Sequence, residues 1–337
     1  MTRSAVTSGL IPRRAFVGSC VSGLLVGFRS VSAQTRARTA TVGWLSGGFA
    51  ARGSALTEFK DGLQELGYVV GQNVHLDVHT AERNEAEEYR RLAARLVTRR
   101  VDVILAGNPY SLSAVTEATS SIPIVGVDLE SDPIARGWAA SLARPGRNTT
   151  GFFLDIPEMS GKQLQFLTEI RPGLSRVAAL GDPRINELQF GATEAAARRA
   201  GLTIHLSHVT STSEIPRAMA EVAVQRAGGV VVLTSPLVNI NMKRIAAAAL
   251  EHRLPSICGF VPSFAEAAGL LAYGPDFPDL FRRAAAYVVA ILKGSAPGAL
   301  PLQRPTKFQL VINRKTARVL GLGIPSSLLA LADQLIE

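Results

Sequence analysis

Short runs of β-branched and apolar residues alternate with longer amphipathic runs along this chain, and the alternation occurs twice. Strands that are separated by helices form parallel sheets through right-handed crossovers, so the pattern excludes all-helical and antiparallel folds. The first series predicts strands over residues 41–45, 74–79, 101–106 and 122–127, and helices over 54–66, 85–98 and 111–118. The second predicts strands over 176–180, 203–209, 229–233 and 256–260, and helices over 189–200, 213–226 and 240–252.

The two series also correspond in detail. Gly67 and Gly201 each follow a predicted helix and precede a strand, where glycine is a natural helix C-cap. Pro123 and Pro255 each open the last strand of their series, a position that tolerates proline. We therefore predict an α/β fold of two similar, doubly wound parallel-sheet lobes.

The residues after the second series are too few for a third lobe. They predict strands over 270–273 and 307–313 and helices over 279–293 and 315–320. We expect the chain to cross between the lobes near residues 147–151, 272 and 305, which gives a three-segment hinge. The predicted division is an export signal over 1–33, lobe 1 from 41–150 plus 274–302, and lobe 2 from 151–273 plus 303–337.

The N-terminal segment is typical of an export signal. Arg13 and Arg14 precede a mildly apolar run over residues 15–28, which is too short to span a bilayer. The segment ends with Val31-Ser32-Ala33, which places small residues where an export peptidase cuts. We expect cleavage near Ala33 and a periplasmic mature protein. Paired arginines also mark the twin-arginine route, and the sequence leaves that route and general secretion both open.

The chain has two cysteines. Cys20 follows a weak lipoprotein-like box, but the apolar run continues beyond it, so a lipid anchor there is the less favoured alternative to cleavage near Ala33. Cys258 lies in an apolar run over 255–260, and we expect a buried small hydrophobe there and not a nucleophile.

The basic charge of the chain is concentrated at its start. The formal net charge of +9 falls to +5 without the four arginines of the first 33 residues. The remaining charges form mixed-sign clusters, such as those over 82–91, which are typical of a solvated surface. We expect a monomer that binds no nucleic acid.

Small and turn-forming residues follow the strands of both series. These loops are 46–48 and 107–109 in the first lobe, and 181–183 and 234–236 in the second. Ligands of open parallel sheets bind outside the carboxyl ends of the strands, where helix N-termini offer free N–H groups. Each loop alone fits an ordinary strand-to-helix turn. Four loops at matched positions predict a ligand cleft between the lobes.

Three blocks of the sequence resemble a known family. They are Phe-Lys-Asp-Gly-Leu-Gln-Glu-Leu-Gly-Tyr over 59–68 with Gly-Gln-Asn-Val over 71–74, Leu-Ala-Arg-Pro-Gly-Arg-Asn-Thr-Thr-Gly over 142–151, and the run from Pro305 to Ala317. Together they resemble the ABC transporter substrate-binding proteins, close to the tryptophan-binding lipoprotein group, over residues 13–337. The resemblance implies a type I periplasmic binding protein fold, hinge closure on a small ligand, and delivery to an ABC permease in the inner membrane.

The resemblance also implies which residues contact the ligand. They are Ser46, Gly47, Gly48, Phe49, Gly107, Asn108, Tyr110, Ser111, Asp128, Asp132, Asp182, Ser235, Pro236, Phe260 and Tyr273. Phe49 and Tyr110 stand where relatives commonly carry small residues, so they are expected to fill the cleft or stack on a flat ligand. The specificity of the aromatic-amino-acid binders therefore does not transfer to this chain.

The charges at these positions suggest a zwitterionic ligand. Asp128, Glu130 and Asp132 are candidates to pair an ammonium group, and Ser111 and Ser235 at helix starts are candidates to hold a carboxylate. An amino-acid-like ligand is the first hypothesis, while sugars, peptides and aromatic acids stay open.

Enzymatic motifs are missing from the sequence: it has no nucleophile elbow, no phosphate-binding loop and no dinucleotide fingerprint. We expect no enzyme, no cofactor and no metal, and keep an exported α/β enzyme acting in the same cleft as the alternative. Bilobed repressors form a third class, but they carry a helix-turn-helix module where this chain has its export segment.

The strand over 74–79 carries His75, Asp77 and His79 on one face, at a spacing that is compatible with a metal. We interpret this face as the polar, solvent-facing side of an edge strand, with Val74, Leu76 and Val78 pointing inward.

Overall fold

The structure is a computed structural model that describes residues 39–47, 53–82 and 85–337. The predicted export signal and the predicted contact residues Gly48 and Phe49 lie outside these ranges. The strands within them are β1 (Ala40–Gly47), β2 (Val74–Ala81), β3 (Val103–Ala106), β4 (Ile124–Asp128), β5 (Thr149–Phe153), β6 (Arg176–Gly181), β7 (Thr203–His208), β8 (Val230–Val232), β9 (Ser256–Cys258), β10 (Leu271–Pro275), β11 (Phe308–Asn313) and β12 (Gln334–Ile336). The α-helices are α1 (Ser54–Glu65), α2 (Ala86–Thr98), α3 (Pro109–Ala118), α4 (Ile156–Ile170), α5 (Pro183–Arg199), α6 (Ile215–Val224), α7 (Pro236–Glu251), α8 (Ser263–Glu266), α9 (Phe277–Leu292), α10 (Arg314–Leu320) and α11 (Ser326–Leu331).

The strands form two sheets with the same internal order. The first sheet is fully parallel with the order β2-β1-β3-β4-β5. The second contains the matching parallel order β7-β6-β8-β9-β10, extended by β11 and β12, of which β11 runs antiparallel to β10. The two-lobed, doubly wound α/β prediction is therefore confirmed.

Helices cover both faces of the first sheet. Trp44 of β1 packs with Phe59 of α1 and Phe281 of α9, whereas the adjacent Leu45 packs on the opposite face in a cluster with Tyr89 of α2. The period-two alternation of strand side chains explains why neighbouring residues enter different clusters. Burial of both faces in turn explains why β1 and β3 are almost continuously apolar in sequence.

Helix α9 belongs to the first lobe although it follows β10 of the second sheet. Its Phe281 ring stacks on Trp44 with centroids 5.1 Å apart. Its Arg282 donates from Nε to Glu58 of α1 at 2.7 Å and also contacts Glu65. Gly62 of α1 permits this approach, because a Cβ there would lie 2.7 Å from the Arg282 carbonyl oxygen. The chain therefore returns from the second lobe to complete the core of the first.

The structure shifts the predicted lobe boundaries by a few residues. Strand β5 extends the first sheet to Phe153, so the chain leaves lobe 1 after this residue and not near 147–151. The third crossing runs beside β5, where Phe153 donates its N–H to Gln303 at 2.9 Å and Gln303 donates to Gly151 at 2.8 Å. Helix α4, which begins after an Asp155 N-cap, was not predicted, because its first turns are rich in small and polar residues.

The interpretation of β2 is wrong in part. Val78 is 38% exposed, whereas the side chains of Asp77 and His79 are only 11% and 13% exposed. Arg99, at the end of α2, covers this face with its Nε 3.2 Å from Asp77, and His79 Nε2 lies 3.1 Å from the other carboxylate oxygen. The polar face is therefore covered at Asp77 and His79 by a neighbouring arginine, whereas His75 on the same face is exposed.

Gly151 allows β4 and β5 to approach closely next to the first crossing. Its φ of 132° is in the region that favours glycine, and an added Cβ would collide with the carbonyl oxygen of Gly126. We expect Gly151→Ala to lower the free energy of unfolding by about 2 to 5 kcal/mol through strain and overpacking.

Urea unfolding followed by circular dichroism measures this effect, with Gly161→Ala as the matched control. Gly161 lies inside α4 with open space around it, so alanine there should raise stability by about 1 kcal/mol through helix propensity. Equal unfolding midpoints for the two variants would show that Gly151 carries no strain constraint.

Candidate functional site

Asp128 ends β4 at the carboxyl edge of the first sheet and is fully buried. Its Oδ1 accepts the backbone N–H groups of Glu130 at 2.9 Å and of Ser131 at 3.2 Å. Its Oδ2 is buried without a hydrogen-bond partner among the described residues. A buried carboxyl oxygen without a partner is costly, so this atom is poised either to share a proton or to accept a ligand donor.

Glu130 connects the two lobes. Its carboxyl group is buried beside Asp128 and close to Thr234, which follows β8 of the second sheet. It is also close enough to Cys258 of β9 to influence the pKa of that thiol. The carboxyl edges of the two sheets therefore meet at this residue.

Burial sets the protonation of this carboxyl pair. Desolvation raises the pKa of Glu130 well above its ordinary value, and the negative charge and the hydrogen bond of Asp128 raise it further. Desolvation also raises the pKa of Asp128, against the opposing effect of its backbone N–H donors. Burial and the neighbouring Asp128 carboxylate therefore favour the neutral form of Glu130.

A pH titration of stability tests this assignment. A raised pKa in the folded state means that the unfolded chain ionises first, so the contribution of Glu130 is complete at low pH and is lost as pH rises above about 4. Glu130→Gln keeps the shape but cannot ionise. We expect this variant to gain stability over the parent by a margin that grows from about pH 4 upward, as measured by thermal melting.

The control is Glu194→Gln on the exposed part of α5, where Glu194 pairs only with Arg198 at 3.4 Å. This control should show no comparable growth of the margin with pH. A constant difference between Glu130→Gln and the parent across pH 4 to 8 would contradict the neutral assignment of Glu130.

The predicted anion contacts are helix caps. Asn108 and Ser111 form a capping box at the start of α3, in which Ser111 N–H donates to Asn108 Oδ1 at 2.8 Å and Asn108 N–H donates to Ser111 Oγ at 3.0 Å. Ser235 caps α7 by accepting the N–H of Val238 at 3.3 Å, and Pro236 is the first residue of that helix. Ser111 and Ser235 are both fully buried. Their hydroxyl groups position the helix N-termini at the carboxyl edges of the sheets.

Tyr110 lies at the junction of the two lobes. Its ring stacks on Tyr89 with centroids 5.6 Å apart, and Tyr89 in turn accepts the side-chain N–H of Asn108 at 2.9 Å. A cavity of about 170 Å³ beside it has walls from both lobes, including Trp138 from the first and Arg184 from the second. Of the two predicted aromatic wall residues, Tyr110 lies beside this cavity, and Phe49 lies outside the described residues.

Asp182 is the N-cap of α5 and is already paired with a cation. Arg184 donates to it from Nε at 2.9 Å and from Nη2 at 2.6 Å. The Arg184 side chain remains about half exposed and lines the cavity beside Tyr110. The sequence analysis missed Arg184, although its position in Asp-Pro-Arg at a helix start indicates an anion-binding turn.

The rings of Phe260 and Tyr273 pack in different surroundings. Phe260 follows β9 and lies 6.1 Å from the ring of Phe277 at the second crossing. Tyr273 packs inside the second lobe, edge-on to Phe166 at 4.9 Å and stacked on Phe308 at 5.8 Å. These contacts do not bring Tyr273 to the Tyr110 cavity.

Ser46 and Gly107 lie side by side at the carboxyl edge of the first sheet. Gly107 donates its N–H to the Leu45 carbonyl at 3.0 Å. Ser46 is buried, and its Oγ has no hydrogen-bond partner in the part of the chain that the structure describes. Gly47 is the last residue of β1. Ser46 and Asp128 therefore each offer an unused buried oxygen on one sheet edge.

Asp132 lines a second and larger cavity of about 570 Å³. Its Oδ1 accepts the N–H groups of Ile134 at 2.8 Å and of Ala135 at 3.1 Å, which stabilises the turn after the β4 loop. Ser131 lines both this cavity and the one beside Tyr110. The predicted ammonium partners Asp128 and Asp132 thus belong to different surroundings, one buried and one at a cavity.

Cys258 is fully buried, as the sequence analysis predicted. Burial raises the pKa of its thiol to about 12, so it is protonated and unreactive at neutral pH. The described ranges contain no cluster of three or more histidine, cysteine or acidic side chains that would hold a metal ion. They also contain no helix that is both long enough and apolar enough to cross a membrane.

Two parallel α/β lobes whose carboxyl edges face each other define a bilobed ligand-binding protein. The chain belongs to the ABC transporter substrate binding protein family, whose model matches residues 50–336. The resemblance in the sequence analysis is therefore confirmed. The family is one of solute-binding proteins and not of enzymes.

Individual relatives agree with this assignment. The chain is 24% identical to a tyrosine-binding protein of Clostridioides difficile strain R20291 over 78% of this chain and 75% of that protein. A conserved domain protein from Vibrio cholerae O1 biovar El Tor has a TM-score of 0.81 at 25% identity, covering 88% of this chain and all of that chain. An ABC domain from Streptococcus pneumoniae in complex with L-Trp also has a TM-score of 0.81, at 24% identity and with 88% of this chain and 100% of that chain covered.

Proposed function

We propose that this protein is the extracytoplasmic solute-binding component of an ABC importer, and that it binds a small amino-acid-like ligand in the cleft between its lobes. The observation that carries the proposal is the meeting of the two carboxyl edges at Asp128, Glu130 and Thr234, in a chain that belongs to a substrate-binding family. The ligand would reach an ABC permease of the inner membrane after export of the protein to the periplasm. The paired arginines and the Val31-Ser32-Ala33 ending support export through a cleaved signal.

The ligand class is supported by relatives and by the chemistry of the cleft. One relative is named for tyrosine, and one structural neighbour was solved with L-Trp. Asp128 Oδ2 and Ser46 Oγ are buried oxygens without a hydrogen-bond partner among the described residues, and an ammonium group would supply a donor to them. The N-termini of α3 and α7, capped by Asn108 and Ser235, point positive helix ends towards the same cleft, where a carboxylate is favoured.

The aromatic wall supports a flat or apolar ligand body. The ring of Tyr110 stacks on Tyr89, which fixes its orientation before a ligand binds. Little conformational entropy is then lost when a ligand stacks on this ring. Arg184 faces it from α5 and offers a second cationic contact across the cleft. Phe49, Gly107 and Phe260, which the family resemblance also implies, are retained as proposed contacts.

Calorimetric titration with L-tyrosine and L-tryptophan tests the function. Asp128→Asn keeps the acceptor for the two backbone N–H groups but removes the charge, so binding should weaken by about 2 to 5 kcal/mol if Asp128 pairs a buried ammonium. Tyr110→Ala should weaken binding by about 1 to 3 kcal/mol through lost stacking and buried area.

Tyr110→Phe is the matched control, because it keeps the ring and should bind nearly like the parent. All variants are first compared by thermal melting to establish intact folding. Parent-like binding by both Asp128→Asn and Tyr110→Ala would place the ligand elsewhere, and a parent that binds neither amino acid would contradict the proposed ligand class.

Hinge closure makes a separate prediction. Three short crossings join the lobes, near residues 153–156, 275–277 and 303–308, and a cleft ligand contacts both lobes only in the closed arrangement. Ligand binding should therefore shift the population towards the closed form and lower the radius of gyration. Small-angle X-ray scattering with and without saturating ligand measures this change, and an unchanged radius at saturation would contradict closure.

A further inference from the structure

The cavity of about 570 Å³ lies beside the hinge, and we call it the hinge-side cavity. The loop after β4 and Leu142 form its wall from the first lobe, and Leu188 of α5 forms its wall from the second. Leu154 and Arg304 reach it from two of the crossings. Ligand pockets for small molecules typically measure about 300 to 1000 Å³, so this cavity has the size of a binding site.

Large apolar side chains are exposed around this cavity. Ile134, Leu142 and Leu188 are 46%, 37% and 42% exposed, and all three line the hinge-side cavity. Two come from the first lobe and one from the second, so a single occupant would cover apolar surface of both lobes. Exposed apolar residues that converge on one concave surface indicate a binding site, whereas isolated ones do not.

The charged groups of the cavity are predominantly acidic. Asp155 forms an ion pair with Arg304 at 2.5 Å, which neutralises both. Asp132 uses only Oδ1 for its turn hydrogen bonds. Glu187 is exposed on α5 and forms no ion pair with any residue that the structure describes. Two carboxylates, one from each lobe, therefore remain available to a cation.

We propose that the hinge-side cavity binds a small organic cation with an apolar body, of the arylalkylammonium class. The apolar body would rest on Ile134, Leu142 and Leu188, and the ammonium group would lie between Asp132 and Glu187. The hinge-side cavity shares Ser131 but no other lining residue with the cavity beside Tyr110, so variants distinguish the two sites, and this proposal does not rest on the proposed function. Because the occupant touches both lobes and two crossings, it stabilises the closed arrangement.

Ligand-detected NMR titration of the full chain tests this site, with 2-phenylethylammonium chloride as the probe and phenylacetate as its matched anion. The two molecules share a ring of the same size but carry opposite charges. We expect the ammonium probe to bind and phenylacetate to show no detectable binding at the same concentration, because the available charges of the cavity are negative.

Two exposed variants locate the probe. Glu187→Gln removes one carboxylate and should weaken probe binding about threefold, as for a partly exposed ion pair. Leu188→Gln removes an apolar wall and should weaken it about fivefold. Glu194→Gln, on the same helix but outside the cavity, should bind the probe like the parent.

Three outcomes would contradict the proposal. It fails if phenylacetate binds as well as the ammonium probe, if Glu187→Gln and Leu188→Gln both bind like the parent, or if no probe binds at millimolar concentration. Loss of probe binding in Tyr110→Ala would assign the probe to the cavity beside Tyr110 and would equally exclude the hinge-side site. Amino-acid titration of the same variants reports the cleft function separately.

Discussion

The burial of the Glu130 carboxyl group where the edges of the two sheets meet is the constraint that sets the chemistry of this junction. Glu130 leaves the edge of the first sheet and ends beside Thr234 and Cys258 of the second. Burial and the charge of Asp128 raise the pKa of Glu130, which favours a neutral carboxyl group at this junction.

Helix α9 follows a strand of the second sheet but packs on the first lobe. The chain leaves the second sheet at Pro275 and immediately builds a helix that packs on α1 of the first, through Phe281 and Arg282. Because the lobes share a helix in this way, neither has a complete core without chain from beyond the hinge. The crossings must then be both short and well packed. Gly151 and Gln303 meet this requirement by pairing backbone to backbone at the edge of β5.

Much of the fold could be predicted from the sequence, because alternating strand and helix patterns have different periods and recur in both lobes. The matching orders β2-β1-β3-β4-β5 and β7-β6-β8-β9-β10 are the structural form of that repeat. Helix α4 escaped prediction because Pro157, Ser160 and Gly161 weaken its pattern, and tertiary packing and the Asp155 cap supply what propensity lacks. The partial burial of Asp77 was also invisible, because it depends on Arg99 from another element.

The sequence predicts the sheet edges at which the candidate polar residues lie, but not the hydrogen bonds that these residues make. Strand ends fix where polar groups gather, so Asp128, Ser111 and Ser235 do lie at the carboxyl edges. Residue type alone does not say whether a hydroxyl group takes part in capping a helix. The hydroxyl groups of Ser111 and Ser235 both do. With those hydroxyl groups occupied, a ligand carboxylate must be met by backbone N–H groups at the helix starts or by Arg184. Ser46 Oγ and Asp128 Oδ2 have no hydrogen-bond partner among the described residues, and both can accept from a ligand donor, which fits the proposed ammonium group on the side of the first lobe.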